Sequence, residues 1–428
     1  MKLLMLVHRF PYPPVRGDCL RSWGEIEYLA GRHELWLACI ERTPPQAADL
    51  DHVRRRCRDV AVVVRPDLAS LARGGLSWLT GQSLTEGYFH DERLAQIVRQ
   101  WDQTVGFDAV LTFSPAMAPY ATLVRAPRRV LDMNDVESAR WQGYAACCRT
   151  PLRWLYALEG RRLAQAEPRW VRGHAVTLLV NECERRKLPA ELRAKAAVVR
   201  TGVDLARYDV WPRESAALRV PRKPVVGFVG SLCYAPNIRA LEWFGTAVWP
   251  RVHESVPEAR WLIVGRHPAR RVRRWSRQPG VTITGFVEDV RPYLAGMRVF
   301  VCPAREQIGV QTKLIEALAA ARPAVVTPQA AAGIDYDDPP PFLVAASAAE
   351  FADAVVRLLR DDAQAQALAA RARSVAEAKY DATEQWQQVE RWLLGNGPTA
   401  VRVLALDAAG YPREVPCVAL AGSEGFIR

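Results

Sequence analysis

The sequence predicts an α/β fold made of two doubly wound domains, each built around a parallel sheet. Short apolar runs alternate with helix-like segments through both halves of the 428 residues, and this alternation is typical of β–α–β units. A charged, turn-rich segment, 204–224, interrupts the alternation once before it restarts. The length also favours two or three domains, each large enough to bury its own core.

Two sets of apolar runs are predicted to form the strands. In the first half they are 2–8, 34–40, 60–64, 109–113, 128–133 and 175–180. In the second half they are 225–230, 259–265, 280–286, 297–303, 323–327 and 342–346. Segments 91–101 and 345–395 are predicted to be helical, and Asn237 is predicted to cap a helix that follows Pro236.

These elements divide the chain into an N-terminal domain, 1–204, a linker, 205–224, and a C-terminal domain, 225–397. The last segment, 398–428, has no clear periodicity and is predicted to be a tail without an assigned role. Ligands of open α/β sheets bind outside the carboxyl ends of the strands. The cleft between the two sheets is therefore the predicted site.

The composition is that of an ordinary globular protein, with half the residues apolar and about a quarter charged. The apolar start is too short for a secretory signal, and no run approaches the roughly 18 residues of a membrane helix, so a cytoplasmic location is predicted. The nine cysteines are scattered without a C-x-x-C pair. This pattern indicates neither a disulfide framework nor a zinc site, and no metal is predicted.

The net charge of +12 is compatible with anionic partners such as phosphorylated donors, acidic lipid surfaces or nucleic acid. Frequent arginine on a solvated surface is the favoured explanation of this charge. The basic clusters 54–58 and 269–277 have little aromatic interleaving. Nucleic acid is therefore not predicted as a partner.

The segment 306–326 has the features of an anion site. A strand is predicted to end near Pro303, and a helix is predicted to begin near Gly309 or Val310. The free N–H groups and the macrodipole at such a helix start attract anions, and Lys313 adds a compact positive charge. Glu316 shares a helix face with Lys313, where its carboxylate can accept hydrogen bonds from the vicinal hydroxyls of a ribose.

Phosphate at the helix start and ribose one turn deeper would match a bound nucleoside diphosphate. An ordinary exposed Lys–Glu pair explains the spacing of Lys313 and Glu316 equally well. The spacing alone leaves these two interpretations open.

The second half resembles the nucleotide-sugar-binding domain of retaining GT-B glycosyltransferases of family 4, through the stretches 227–244, 261–268, 280–303 and 309–334. The first half resembles the same family through 8–23, 132–145, 159–167 and 201–204. The likeness extends from residue 1 to about 395 and is greatest to the sugar transferases of PEP-CTERM/exosortase systems. It implies a GT-B fold, in which two Rossmann-like domains face each other across a cleft.

The resemblance also implies which residues form the site. The residues that match donor-binding positions are Gly230, Ser231, Phe286, Val287, Gly309, Val310, Gln311, Lys313 and Glu316. In this assignment Glu316 contacts the ribose, Lys313 and the amides of 309–311 hold the diphosphate beside the loop at 230–231, and 286–287 meet the nucleobase. Arg16 and Gly17 match a loop that faces the cleft. The residues predicted to act in catalysis are Lys313, Glu316 and Arg16.

The function that the resemblance implies is transfer of a sugar, with retention, to an exopolysaccharide or lipid-linked glycan. The donor would be a UDP- or GDP-linked nucleotide sugar, with no metal and no separate cofactor. Peripheral contact with the inner face of the cell membrane is a separate expectation, which rests on the segment 150–173 and not on the resemblance. One alternative is a degenerate sugar-nucleotide-binding protein, because Ile308 and Thr201 depart from the family pattern. Another is a nucleotide-sugar 2-epimerase, which shares the two-domain fold.

Three further predictions concern the first half. The acidic residues Asp132, Asp135 and Glu137 are candidates for the site, although a polar cap on the following helix is the favoured interpretation. His8 at a strand end is predicted to be structural. The segment 150–173 combines aromatic residues with arginine and would suit an interfacial helix, but packing on the first sheet is favoured.

Overall fold

Two parallel sheets in succession form the framework of the chain, as the alternating pattern predicts. The computed structural model describes residues 1–14, 17–148, 150–209, 223–306, 309–397, 403–406 and 412–415. The first sheet has the strand order β3-β2-β1-β4-β5-β6-β7. Its strands are β1 (Lys2–Val7), β2 (Glu34–Glu41), β3 (Asp59–Val64), β4 (Ala109–Phe113), β5 (Arg128–Asn134), β6 (Val176–Leu179) and β7 (Ala196–Val198).

The helices of the first half cover both faces of this sheet. They are α1 (Gly17–Ala30), α2 (Ala47–Arg54), α3 (Asp67–Leu79), α4 (Leu84–Phe89), α5 (Glu92–Val105), α6 (Ala118–Ala121), α7 (Glu137–Cys147), α8 (Leu152–Gly173), α9 (Glu182–Lys187) and α10 (Ala206–Asp209). Because both faces are covered, the central strands are apolar throughout, and Leu3 to Val7 are fully buried.

The second sheet has the order β10-β9-β8-β11-β12-β13. Its strands are β8 (Val225–Val229), β9 (Arg260–Val264), β10 (Val281–Ile283), β11 (Val299–Cys302), β12 (Ala324–Val326) and β13 (Leu343–Val344). The helices that follow are α11 (Ala235–Trp243), α12 (Trp249–Ser255), α13 (Arg270–Arg273), α14 (Arg291–Gly296), α15 (Thr312–Ala319), α16 (Pro328–Ala331), α17 (Ala348–Arg360), α18 (Asp362–Lys379) and α19 (Ala382–Leu393).

Each sheet reverses its strand order once, beside β1 in the first sheet and beside β8 in the second. Ligands of doubly wound sheets bind at this switch point. The predicted fold class and all the predicted strands are confirmed. The short strand β7 was not predicted, because three residues are too few to carry a periodic signal.

The prediction that Asn237 caps a helix is wrong. Helix α11 already begins at Ala235, with Pro236 in its first turn and Tyr234 as the capping residue. Proline is tolerated there because the first N–H groups of a helix have no partner within it. Asn237 is instead buried inside the helix, and its amide nitrogen donates to the carbonyl of Ser231 over 2.9 Å.

Helix α19 connects the end of the chain back to the first sheet. Val389 and Leu393 lie in the core of the first sheet, and the Trp386 ring packs against Gly24 of α1. The Glu390 carboxylate accepts a hydrogen bond of 2.8 Å from the Tyr28 hydroxyl. The chain therefore crosses between the sheets twice, once before β8 and once before α19.

The domain boundaries stay predictions. Residues 210–222 of the predicted linker lie outside the described residues, and the part before them includes α10. In the predicted tail, β14 (Val403–Leu406) pairs antiparallel with β15 (Pro412–Val415). The rest of 398–428 lies outside the described residues.

Replacing Gly24 with alanine is expected to loosen the contact between α1 and α19. A Cβ at this position would lie 2.4 Å from the Trp386 ring, and such overpacking costs about 1–3 kcal/mol. The midpoint of thermal unfolding should therefore fall. The matched control is Gly143→Ala in α7, where a Cβ meets nothing within 4 Å and the midpoint should hold or rise. An equal response of the two variants would contradict the importance of this contact.

Candidate functional site

The N-termini of α1 and α15 face each other across the cleft between the sheets. A Cβ built on Gly17, the first residue of α1, would lie 3.6 Å from the hydroxyl of Thr312, the first residue of α15. A helix N-terminus carries about half a positive charge. Two such ends so close together form a region of positive potential that favours an anion.

The turn before α15 depends on Gly309. Its φ of +59° lies in the left-handed region, and a Cβ there would lie 2.8 Å from a carboxylate oxygen of Asp135 in the first half of the chain. Glycine is favoured on both counts. Because of this turn, α15 begins at Thr312 and not near Gly309 or Val310, so that part of the prediction is wrong.

The predicted diphosphate cradle stays a prediction, and its backbone groups have the following hydrogen bonds. Among the described residues, the N–H groups of Gly309 and Val310 donate no hydrogen bond, which leaves them available to a ligand. The N–H of Thr312 donates to the carbonyl of Val310 over 3.1 Å. Gln311 is the capping residue of α15, and its side-chain oxygen accepts a hydrogen bond of 2.7 Å from Lys313 Nζ.

Lys313 is half-buried beneath the cleft. Its Nζ lies 5.7 Å from the centre of the Phe228 ring, and a Cβ on Gly230 would lie 3.2 Å from its Cε. Burial lowers the pKa of Lys313 from its ordinary value, and Glu316 acts in the opposite direction. A partly desolvated ammonium interacts strongly with an arriving anion, because little water screens the attraction.

Glu316 lies one turn deeper on the same helix face. Burial raises its pKa to about 7, while Lys313 and a hydrogen bond from Tyr208 act in the opposite direction. Tyr208, on α10, was not predicted as a site residue, because its charged, turn-rich segment has no periodic pattern. Tyr208 lies next to Glu316, so residues just before 210–222 contribute to the floor of the cleft.

The loop after β8 brings Gly230 and Ser231 to the same place. Gly230 lies against Lys313, and its carbonyl oxygen would clash with any Cβ on Gly265. Ser231 is half-buried, and its carbonyl is held by Asn237. The structure therefore brings this loop and the start of α15 together.

The predicted nucleobase positions lie after β10, further along the same edge of the second sheet. Phe286 is exposed, and Val287 packs at the side of the core beneath α15. Arg16 and Ile308 lie outside the described residues. Glu306, close to Ile308 in sequence, forms a two-point ion pair with Arg239.

The acidic candidates of the first half have three different environments. Asp132 is fully buried and accepts from Arg21 Nε over 2.8 Å, so it is an internal ion-pair partner. Asp135 faces Gly309, and burial raises its pKa to about 6. Glu137 accepts from Arg140 over 2.9 Å. None of them caps α7, whose start has no side-chain cap, so the cap interpretation is wrong.

His8 lies at the carboxyl end of β1, beside the switch point. Its ring is stacked on Phe113, and burial lowers its pKa, while Asp18 acts in the opposite direction. The buried atoms His8 Nδ1 and Glu137 Oε2 have no hydrogen-bond partner among the described residues. Buried polar atoms without a partner are costly, and they mark positions where a polar ligand would be satisfied.

Thr201 lies in a segment that joins the two halves. Its neighbour Val203 donates from its N–H to the carbonyl of Tyr380 over 2.8 Å, and Arg200 Nε forms an ion pair of 2.9 Å with Asp335. This segment therefore contacts residues that lie before α19, where the chain crosses back to the first sheet. The departure from the family pattern at Thr201 therefore falls beside the crossover.

Helix α8, which includes the segment 150–173, packs against α7 and α4. Its buried Glu167 accepts from the Ser138 hydroxyl over 2.7 Å, and its buried Glu159 accepts from the N–H of Leu84 over 2.7 Å. The favoured packing interpretation holds for this part of the helix. Its first residues, Leu152 and Trp154, are exposed.

Comparisons with known proteins agree with this architecture. Residues 223–361 match the family model described as glycosyl transferases group 1. No curated protein sequence matches the chain. None of the helices in the described ranges has the length and apolar character needed to cross a membrane.

Solved structures share the fold at low sequence identity. Sucrose-phosphate synthase from Thermosynechococcus elongatus has a TM-score of 0.66 at 15% identity, over 92% of this chain and 98% of that one. HepE from Anabaena, in complex with UDP and glucose, has a TM-score of 0.63 at 15% identity, over 92% and 100%. A TarM mutant from S. aureus, solved with UDP, has 0.60 at 9% identity, over 92% and 99%. The fold is therefore that of GT-B glycosyltransferases.

The raised pKa of Glu316 predicts that Glu316→Gln stabilises the ligand-free protein at alkaline pH. In an unfolded chain a glutamate titrates near pH 4.3, whereas the folded carboxyl titrates at about 7. Between these values the folded state holds a proton that the unfolded state has lost, so stability falls as the pH rises. Glutamine removes this cost, and at pH 8 the gain should be about 1–3 kcal/mol.

Thermal midpoints of wild type and variant measured from pH 5 to pH 8 check this. The difference should grow with pH and level off above pH 7. The exposed Glu288, changed to glutamine, is the control and should show no such trend. A constant difference between wild type and Glu316→Gln would show that the carboxyl is not held protonated.

Proposed function

We propose that this protein is a glycosyltransferase that transfers a sugar, with retention, from a UDP- or GDP-linked donor to a glycan or lipid-linked glycan. The observation that carries the proposal is the convergence of two helix N-termini, Lys313 and Glu316 on one cleft between two doubly wound sheets. A nucleoside diphosphate presents two anionic phosphates next to a ribose with two hydroxyls. The helix N-termini and Lys313 match the phosphates, and Glu316 matches the ribose.

The comparisons support the class of reaction. The matching family model covers residues 223–361, the part of the chain that contains Lys313 and Glu316. Relatives of the same fold are named as a sucrose-phosphate synthase and a trehalose 6-phosphate synthase, and HepE was solved with UDP-glucose. A nucleotide-sugar donor is therefore the partner class that fits the cleft.

In the proposed mechanism the protein acts mainly through fixed charge. When the bond between the sugar and the diphosphate breaks, negative charge develops on the diphosphate. The amides of Gly309 and Val310, the start of α1 and Lys313 would stabilise this charge without reorganising. The diphosphate itself would assist attack on the face of the sugar that it leaves, which gives retention.

The sugar would lie on the side of the first sheet. His8 Nδ1 and Glu137 Oε2 are buried without a partner among the described residues, and sugar hydroxyls donate and accept hydrogen bonds equally well. We place the sugar beside these two groups and the nucleotide beside α15. Independence from metal ions stays a prediction.

Nucleotide binding is expected to depend on Glu316. In a thermal-shift panel, UDP or GDP and their sugar conjugates should stabilise the wild-type protein, and Glu316→Ala should abolish this stabilisation, because the ribose loses its acceptor. Glu288→Ala is the control and should behave as wild type. Equal stabilisation of Glu316→Ala and wild type would remove Glu316 from the site.

Activity measurements separate the alternatives. Release of free UDP or GDP from a nucleotide sugar, with transfer to an added glycan, would establish the transferase. Binding without turnover would favour the degenerate protein, for which Ile308 and Thr201 are the sequence argument. Conversion of a UDP-sugar to its epimer without an acceptor would favour the 2-epimerase.

A further inference from the structure

Helix α3 is turned with its apolar side to the solvent. The exposed fractions are 84% for Leu68, 63% for Leu71, 65% for Leu76 and 79% for Leu79. The residues that this helix buries are Ser70, Gly74 and Ser77. A surface helix normally buries its apolar side. Four largely exposed leucines on one helix therefore indicate a surface that something else covers.

The orientation of α3 is fixed by its contact with α4. A Cβ on Gly87 of α4 would lie 2.3 Å from the Ser77 Cβ, and a Cβ on Gly74 would lie 3.2 Å from the carbonyl oxygen of Leu84. Only small residues allow so close a helix pair. Rotating α3 to bury its leucines would drive them into this contact. The outward leucines are therefore a consequence of the packing.

Helix α8, which meets α3 through Arg162, also has exposed apolar residues near its start. Trp154 is 71% exposed and Leu152 is 49% exposed. Two turns further along α8, or about 12 Å, Arg162 donates to the carbonyl of Gln82 over 2.8 Å and lies over the Trp78 ring of α3. We call α3 together with Leu152 and Trp154 the leucine surface.

Exposed arginines accompany the leucine surface. Arg73 lies on α3, and Arg153 and Arg161 lie on α8. Within the described ranges none of these three forms an ion pair. Leucines with a tryptophan and flanking arginines are the composition of segments that lie in a bilayer interface, where arginine meets anionic headgroups.

The leucine surface also borders the cleft. Helix α4, which packs on α3, ends at Phe89, whose ring meets the His8 ring edge-on at 5.8 Å. A bilayer against α3 would therefore lie close to the side of the cleft where we place the sugar. A lipid-linked acceptor could then place its glycan in the cleft while its lipid part stays in the bilayer.

We propose that the leucine surface docks the protein onto an anionic lipid bilayer, with the leucines and Trp154 in the interface and the arginines at the headgroups. A symmetric dimer through the same surface is less favourable, because it would bring the arginines of two copies together. The docking does not require sugar transfer, so its failure would leave the proposed function standing.

Flotation with vesicles tests the docking. The full-length protein should bind vesicles that contain 40% phosphatidylglycerol in phosphatidylcholine and bind pure phosphatidylcholine far less. Replacing Leu68, Leu71, Leu76 and Leu79 by glutamine should weaken binding at least about tenfold. Replacing Arg73, Arg153 and Arg161 by glutamine should remove the preference for phosphatidylglycerol. Leu394→Gln changes an exposed leucine directly after α19 and is the matched control.

The leucine positions are exposed, so the variant should keep the thermal midpoint of the wild type. Undiminished vesicle binding by the four-leucine variant would overturn the proposal. So would a wild-type protein that ignores both kinds of vesicle. If the wild type then sediments as a dimer and the four-leucine variant as a monomer, a second copy of the chain is the occupant.

Discussion

Two helix N-termini held face to face are the constraint on which the cleft depends. The starts of α1 and α15 approach each other at Gly17 and Thr312, and their partial positive charges repel each other. Contacts away from the cleft hold them together. Arg200 pairs with Asp335, and Asn181 donates to the carbonyl of Gly333 over 3.2 Å. The crossing of the chain into α19 adds a third link. The two helix starts are therefore held near each other by contacts outside the cleft and not by the residues that line it.

This arrangement explains the unusual carboxyl groups at the cleft. Asp135 lies at the Gly309 turn, where an anion is favoured by the start of α15, yet burial raises its pKa to about 6. Burial likewise raises the pKa of Glu316 and lowers that of Lys313, although each group acts on the other in the opposite direction. Burying these ionisable groups lowers the stability of the folded protein but leaves them in position for a ligand. Such a cost is common in preorganised sites and not in apolar cores.

Much of the fold could be predicted from sequence, because strands buried on both faces are continuous apolar runs between breakers. Gly309, Lys313 and Glu316 could be grouped as candidate site residues from sequence, because they lie within one short segment. The start of α15 was missed, because sequence does not reveal that Gly309 adopts a positive φ. Tyr208 was missed because its partner Glu316 is more than a hundred residues away, and such a contact leaves no local pattern.

The orientation of α3 shows most clearly what sequence leaves open. Periodicity places Leu68, Leu71 and Leu79 on one side and Ser70, Gly74 and Ser77 on the other, and the usual rule would bury the leucines. The close approach of Gly87 reverses this, because backbone-to-backbone contact admits only small side chains. Whether an apolar stripe faces the core or the solvent is therefore decided by the neighbouring helix. A glycine that allows such a close helix contact, here Gly87, therefore helps to determine which side of the neighbouring helix is exposed.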